Sequence, residues 1–357
     1  MKLLAGGSLE IPFLKFRKQP LGVASFIILV LLYAGLLCEG FIAPYGANTQ
    51  FKAKSYHPPH HVRFVHQGRF VGPFVYEYEL IDPFFKKYRV DREAAHRLGL
   101  FVKGEKYRLF FLLPCRVHLF GTRDGAPFFL MGADRLGRDL FSRIVFGANI
   151  SLTIGFLSVF LSLVGGILIG GFSGYIGGFG DWFIIRLTEV IILLPTFYFF
   201  LFLRSIIPPT VSPAQKFFYI TAILAVPGWA GAARGIRNWV LSLKTADFVT
   251  AAQISGMSRL RIIWKHIIPQ IRSILILSIT LSVPGVILGE TGLSFLNLGI
   301  TEPSVSWGLL MNAAMDVNIL LQYPWILFPA LFIILTVFSF FAFGYTLKDA
   351  LDPRAMV

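Results

Sequence analysis

The chain has 357 residues, 55% of them hydrophobic and only 15% charged, with 33 lysines and arginines against 19 acidic residues and a formal net charge of +14. A mean hydropathy of +0.68 excludes an ordinary soluble domain and points to repeated passage through a membrane, so the positive charge reads as topology plus a basic outer segment. No nucleic-acid partner is needed and no RNA- or DNA-binding module is recognisable.

About 20 apolar residues cross a bilayer. Six segments meet or approach that length: 22–43, 149–171, 183–203, 217–233, 271–289 and 325–345, the fourth being the shortest. Lys15, Arg17 and Lys18 precede the first run, which is too long for the apolar part of a cleavable signal and reads as a signal anchor. Weighting the short loops, Arg234, Arg237, Lys244, Arg259, Arg261, Lys265 and Arg272 crowd the connection between spans four and five. That connection and the amino terminus are expected in the cytoplasm. Six spans then put both termini inside.

Between the first two spans, Pro44 to Phe146 form a mixed, aromatic segment rich in turn signals. Val62–Val65, Arg69–Leu80 and Tyr107–Leu119 alternate like strands and Asp91–Leu98 suggests a short helix, so a small α+β domain outside the membrane is expected. Six of the seven histidines lie here. His57-Pro-Pro-His60-His61 invites a metal hypothesis, but neither cysteine pairs nor fixed groups to orient the rings accompany it, and surface or packing histidines are the expectation. Cys38 and Cys115 stand apart in the pattern and read as unpaired thiols. At the end of the segment Leu136, Leu140 and Ile144 share a helical face while Asp134, Arg138, Asp139 and Arg143 stay wet, as on an interfacial amphipathic helix.

In span two, Gly166, Gly170 and Gly174 have the four-residue spacing that lets helices approach closely in lipid. Asp181, Arg186 and Glu189 fall near the inner end of span three, where Arg186 and Glu189 can pair at i, i+3; a structural ion pair is the expected role and a proton relay the rival. Thr245 to Gln270 is polar and basic. Phe248, Ala251, Ala252 and Ser255 share one helical face, Gly256 ends that helix, Ser258 can cap a second in which Leu260, Ile263, Trp264 and Ile267 share a face, and Pro269 closes the pair. In span five, Pro284 and Gly285 are able to bend the helix and help form a gate. Glu290 and Asn297 follow, either near a substrate mouth or satisfying backbone groups of a re-entrant segment.

These stretches carry a resemblance. Ala251, Ala252, Gly256 and Pro269 match the EAA loop of bacterial ABC importer permeases, with Thr250 in place of Glu and His266 where an apolar residue is usual. Gly132, Asp134, Gly137, Arg138, Asp139, Ser142 and Arg143 are similar to the stretch before the second span in C-type dipeptide and oligopeptide permeases, with Ala133 replacing Thr. The run from Gly289 to Gly299, Ser306-Trp307-Gly308 and the tail with Asp352-Pro353-Arg354 resemble the same family. The resemblance implies an all-α polytopic membrane protein with about six transmembrane helices and a cytoplasmic coupling hairpin, here with the small α+β extracytoplasmic insertion between helices 1 and 2. The expected division is 1–43 for the amino terminus and first span, 44–146 for the insertion and 147–357 for the permease core with its coupling loop at 245–270.

By the same resemblance the partners are a B-type permease, two ABC ATPases and a substrate-binding protein delivering peptides, all at a bacterial inner membrane. The chain has no P-loop, so it is expected to be no enzyme and to hold no cofactor, ATP and Mg being bound by the ATPases. Phe248, Ala251, Ala252, Gly256 and Pro269 are the expected coupling residues, and Pro284, Gly285, Glu290 and Asn297 the candidates for pathway or gate. An ion-coupled secondary transporter is a rival, although internal repeats are not evident. A membrane receptor with an outer binding domain is another. The sequence does not separate dipeptides from oligopeptides or nickel chelates.

Overall fold

The computed structural model describes residues 15–110, 112–208 and 210–351; the Asp352-Pro353-Arg354 tail lies outside them. In chain order the elements are α1 (Pro20–Leu37), α2 (Glu39–Ile42), β1 (Arg63–His66), β2 (Arg69–Asp82), β3 (Lys87–Leu109), β4 (Leu113–Thr122), α3 (Leu140–Ile176), α4 (Gly178–Leu193) and α5 (Thr196–Ser205). There follow α6 (Pro213–Leu243), α7 (Asp247–Ile254), α8 (Arg259–Ile262), α9 (Arg272–Phe295), α10 (Trp307–Met311), α11 (Val317–Gln322) and α12 (Phe328–Leu351).

Five helical stretches among the described residues are long and apolar enough to cross a membrane, or six if α4 and α5 together make one. That pair corrects the straight span expected at 183–203: the two helices meet at 98°. Pro195 has no N–H to continue the helix and pushes Leu194 out of the helical region, to ψ 132°. The span expected at 217–233 runs on to Leu243, which places Arg234 and Arg237 on the helix itself. Its start is fixed by a reciprocal cap in which Ser212 Oγ accepts from Gln215 N at 3.3 Å and Gln215 Oε1 accepts from Ser212 N at 2.9 Å, with Pro213 in the first turn.

The chain divides into two compact units. The first takes the chain up to Leu29, Thr153–Glu290 and everything from Leu335. Within it, Gly166, Gly170 and Gly174 of α3 lie against α6; a Cβ on Gly170 would come within 2.2 Å of the Ala233 carbonyl oxygen, so only glycine permits this approach.

The second unit takes Val30–Leu152 and Thr291–Ile334, and is therefore wider than the 44–146 insertion. It carries one antiparallel sheet in the order β1-β2-β3-β4. The helix expected at Asp91–Leu98 is part of β3. Val75 and Tyr76 pair with His96 and Ala95, and a bulge before Glu77↔Asp91 absorbs the extra residues, so cross-strand pairing overrides the local preference. Tyr107–Leu119, expected as one strand, instead turns between Leu109 and Leu113 to make the β3–β4 hairpin. The amphipathic helix expected from Asp134 is absent up to Leu140; an isolated bridge pairs Ala133 with Asp139 around a tight corner. Gly137 sits there at φ +72°, and a Cβ would meet the Phe51 carbonyl oxygen at 2.3 Å.

Candidate functional site

The segment from Asp247 to Ile271 forms a helical hairpin in the first unit. Its first helix ends on Gly256, at φ +74°, with Met257 N donating to Ala252 O at 3.2 Å and Gly256 N to Gln253 O at 3.0 Å. These two bonds are the paired closure that a left-handed glycine allows at a helix end. Ser258 stands at the start of the second helix, but its side chain makes no capping bond. That helix widens into a π turn over Ile263–Ile267 and tightens into a 3-10 turn over Ile268–Ile271, which contains Pro269.

The faces differ from those the periodicity suggested. Val249 and Ala252 are buried, whereas Phe248, Ala251 and Ser255 are exposed. Ile262, Ile263 and Ile267 turn inward while Leu260 and Trp264 stay outside, because the π turn shifts the register of the second helix. Val249, Ala252, Ile262, Ile267 and Ile271 share one core with Ile236 and Val240 of α6 and Leu275 of α9. The hairpin is therefore packed onto two of the long helices, with an apolar set of side chains left on its outer face.

Beside it, a groove of 390 Å³ is bordered by α3, α6 and α9. Ser162, Gly228, Gly231, Gly235, Ser278 and Ser282 give it small, weakly polar walls. Pro284 is buried within α9, which continues past it, and Gly285 is exposed one residue on. Glu290 is fully buried on the same helix, not in a loop.

In the second unit, the charges expected to stay wet are instead paired. Asp134 Oδ2 accepts from Arg138 Nε and Arg143 Nη1, both at 2.7 Å, and Glu302 Oε1 accepts from Arg143 Nη2 at 2.8 Å and Arg138 Nη2 at 3.0 Å. Asp134 Oδ1 also accepts from Leu136 N and Arg138 N, which ties the corner to the ion pairs. Asp139 accepts from Ser142 N and Oγ at 2.7 and 2.6 Å; burial pushes its carboxyl up to about 7. Arg138, Arg143 and Glu302 line a cavity of 510 Å³ together with Asn297, whose φ is +61°. Glu302 was not singled out from sequence. A carboxylate 159 positions from Arg143 leaves no local signal.

Residues 166–357, more than half of the chain, match the family model described as binding-protein-dependent transport system inner membrane component. The chain belongs to that family. A second model, the N-terminal TM domain of oligopeptide transport permease C, matches residues 13–59 of this permease. The permease is 40% identical over 237 residues to the oligopeptide transport system permease protein OppC of Haemophilus influenzae, covering 65% of this chain and 72% of the relative. It is 34% identical over 288 residues to the dipeptide transport system permease protein DppC of Bacillus subtilis, covering 80% and 81%. Neither family model reaches residues 60–165, where the whole sheet lies.

The permease is thus a multi-pass membrane protein, and its other ionisable groups are disposed accordingly. Arg186 Nη1 donates to Glu189 Oε2 at 2.6 Å on the surface of α4. Asp181, one turn earlier, is held by Arg237 of α6 at 2.5 Å and by the Ser173 hydroxyl. The pairing of Asp181 was missed from sequence because its partner lies on another helix. Of the histidines, His57 and His60 are buried and stack at 4.6 Å, whereas His61 is exposed, so the three do not converge. Cys38 and Cys115 are free thiols.

Proposed function

We propose that this permease forms half of the transmembrane pathway of an ATP-driven peptide importer in a bacterial inner membrane. Its partners are a B-type permease, two ABC ATPases that bind ATP and Mg, and a substrate-binding protein on the opposite side. Support for the substrate comes from the relatives, which are named as oligopeptide and dipeptide transport system permeases. Those names do not favour a secondary transporter or a receptor.

The observation that carries the reading is the hairpin's two-sidedness. Ala252, Ile262 and Ile267 enter the core shared with α6 and α9, while Phe248, Ala251, Leu260 and Trp264 remain outside for an ATPase groove. Movement of the ATPases then displaces α6 and α9 as packed bodies, and the groove between these helices changes its access. In this reading the hairpin and both termini are cytoplasmic, and the sheet is extracytoplasmic. Pro284 and Gly285 belong to the moving helix; Glu290 and Asn297 serve the pathway or brace its mouth; Arg186 and Glu189 brace α4.

The test is mild-detergent purification of the tagged permease beside Gly256→Asp, with the partners identified by mass spectrometry. Aspartate is strained at a φ of +74°. Stoichiometric ATPases and a second permease in the parent, with the ATPases lost in the variant, are the expected result. A permease that purifies alone in both cases rejects the importer assembly.

A further inference from the structure

The β3–β4 hairpin closes on the sequence Arg108-Leu-Phe-Phe-Leu-Leu-Pro114. Hairpin tips in water use glycine, asparagine or aspartate, which satisfy the turn and remain hydrated. This one instead exposes Phe110 at 47%, Leu112 at 81% and Leu113 at 61%. Exposed apolar side chains at such a tip mark a contact that the single chain does not contain.

Where the tip points follows from contacts within the second unit. At the base of the hairpin, the Phe120 ring meets that of Phe141 at 5.5 Å, in the first turn of α3. Nearer the tip, His118 Nδ1 lies 2.6 Å from Ala43 O. Nearer still, Tyr107, paired with Cys115, covers Gly40 so closely that a Cβ there would be 2.5 Å from its ring. The hairpin therefore retraces the chain from Ala43 back toward the end of α1 at Leu37. Glu39 Oε2 accepts from Asn149 Nδ2 at 2.8 Å and Tyr33 OH donates to Leu152 O at 3.4 Å, so α1 ends beside the third turn of α3 and beyond. β4 rises about 3.3 Å per residue and α3 about 1.5 Å. Traced from Phe120 and Phe141, the tip draws level with the apolar stretches of both helices, not with the sheet.

The charges flanking the tip fit the same surroundings. Lys103, Lys106, Arg108 and Arg116 are all exposed on the hairpin. Between Leu98 and Thr122, where β3 pairs with β4, the one carboxylate is Glu105, already engaged by Gly46 N and Thr49 Oγ1, both at 2.9 Å. Long basic side chains lay their stems along apolar surface and carry their charge to the headgroup level. We propose that this hairpin enters the near leaflet of the membrane that α1 and α3 cross. Phe110, Leu112 and Leu113 sit among the acyl chains, and Arg108 and Arg116 on lipid phosphates.

The test is made on the assembled transporter in proteoliposomes, with a nitrobenzoxadiazole label on Leu112→Cys or, as control, on Phe70→Cys at the exposed start of β2, both in a Cys38→Ala, Cys115→Ala background. The label at 112 is expected to be quenched by nitroxide lipids spin-labelled on the acyl chain and protected from aqueous iodide, with the reverse at 70. Adding Arg108→Gln and Arg116→Gln is expected to weaken the lipid quenching at 112. Iodide quenching at 112 as strong as at 70 overturns the proposal. Protection from both quenchers also overturns it, and assigns the tip to a protein partner instead. Lipid quenching indifferent to the two arginines overturns the phosphate contact.

Discussion

Arg237 holds Asp181 through two parallel bonds, Nε to Oδ1 and Nη2 to Oδ2, each at 2.5 Å. The Ser173 hydroxyl adds a third contact, so one carboxylate ties together α3, α4 and α6. Removing the cation strands a partly buried carboxylate, so Arg237→Gln is expected to cost about 3 kcal/mol. Asp181→Asn combined with Arg237→Gln should cost clearly less than the sum of the single changes, because each alone already breaks the pair. Thermal unfolding of the detergent-purified variants checks this; strictly additive losses mean that the pair is not coupled.

The close crossing of α3 and α6 makes a second, sharper prediction. Gly170→Ala places a methyl 2.2 Å from the Ala233 carbonyl oxygen, a backbone atom fixed in its helix. It should lower stability by about 1–3 kcal/mol. Gly292→Ala in α9 meets nothing within 4 Å and should be neutral or stabilising by roughly 0.5–1 kcal/mol, since alanine restricts the unfolded chain and favours helix. Equal melting shifts for the two variants would contradict the packing.

What was legible in the sequence is what repeats or what a single residue forces. Apolar length marked the spans, the four-residue glycine spacing marked the α3–α6 crossing, and Gly256 marked a helix end. The misreadings share a physical cause. Asp91–Leu98 has helical composition, but partners on β2 hold it extended. Asp134, Arg138, Asp139 and Arg143 have the spacing of a wet helical face, yet Gly132 and Gly137 at positive φ turn the chain so that both arginines reach Asp134 and Glu302. Pro195 was visible, but whether a proline kinks or breaks a span depends on neighbours that the sequence does not place. A partner such as Glu302 or Arg237 exists only once the fold brings distant segments together.

The buried histidine pair predicts acid sensitivity. Burial, with the neighbouring His60 charge adding to it, holds His57 down to about 2, and burial holds His60 down to about 4. Both are below the ordinary histidine value near 6.5, so the fold favours the neutral rings. Their contribution is complete above about pH 6.5 and is lost as pH falls toward 4, by a few kcal/mol at most. Among the described residues His57 Nε2 has no partner and Nδ1 bonds only the adjacent Pro58 O, at 2.7 Å, so His57→Phe should remove part of the acid limb with a smaller loss at pH 8 than His60→Phe. His60 Nδ1 accepts from Phe129 N at 3.0 Å; His60→Phe should therefore cost about 1–3 kcal/mol at every pH. Melting curves between pH 4 and 8, on the order of the window set by these values, distinguish the two.

The outer face of the 247–271 hairpin separates docking from folding. Leu260 and Trp264 are exposed, so Leu260→Ser and Trp264→Ser should leave the melting temperature of the isolated permease nearly unchanged. Ile262 is buried in the core that joins the hairpin to α6 and α9, and Ile262→Ser should destabilise the permease by about 2–5 kcal/mol through lost packing and an unpaired hydroxyl. If the hairpin seats in an ATPase groove, the first two variants lose co-purifying ATPase while remaining folded. A large truncation penalty is expected of an aromatic anchor, so Trp264→Ser should weaken the complex more than Leu260→Ser. Undiminished ATPase recovery from the double variant would move the contact elsewhere on the permease. Loss of ATPase from Ile262→Ser alone would show only that the hairpin must be folded, which is why the exposed pair decides the matter.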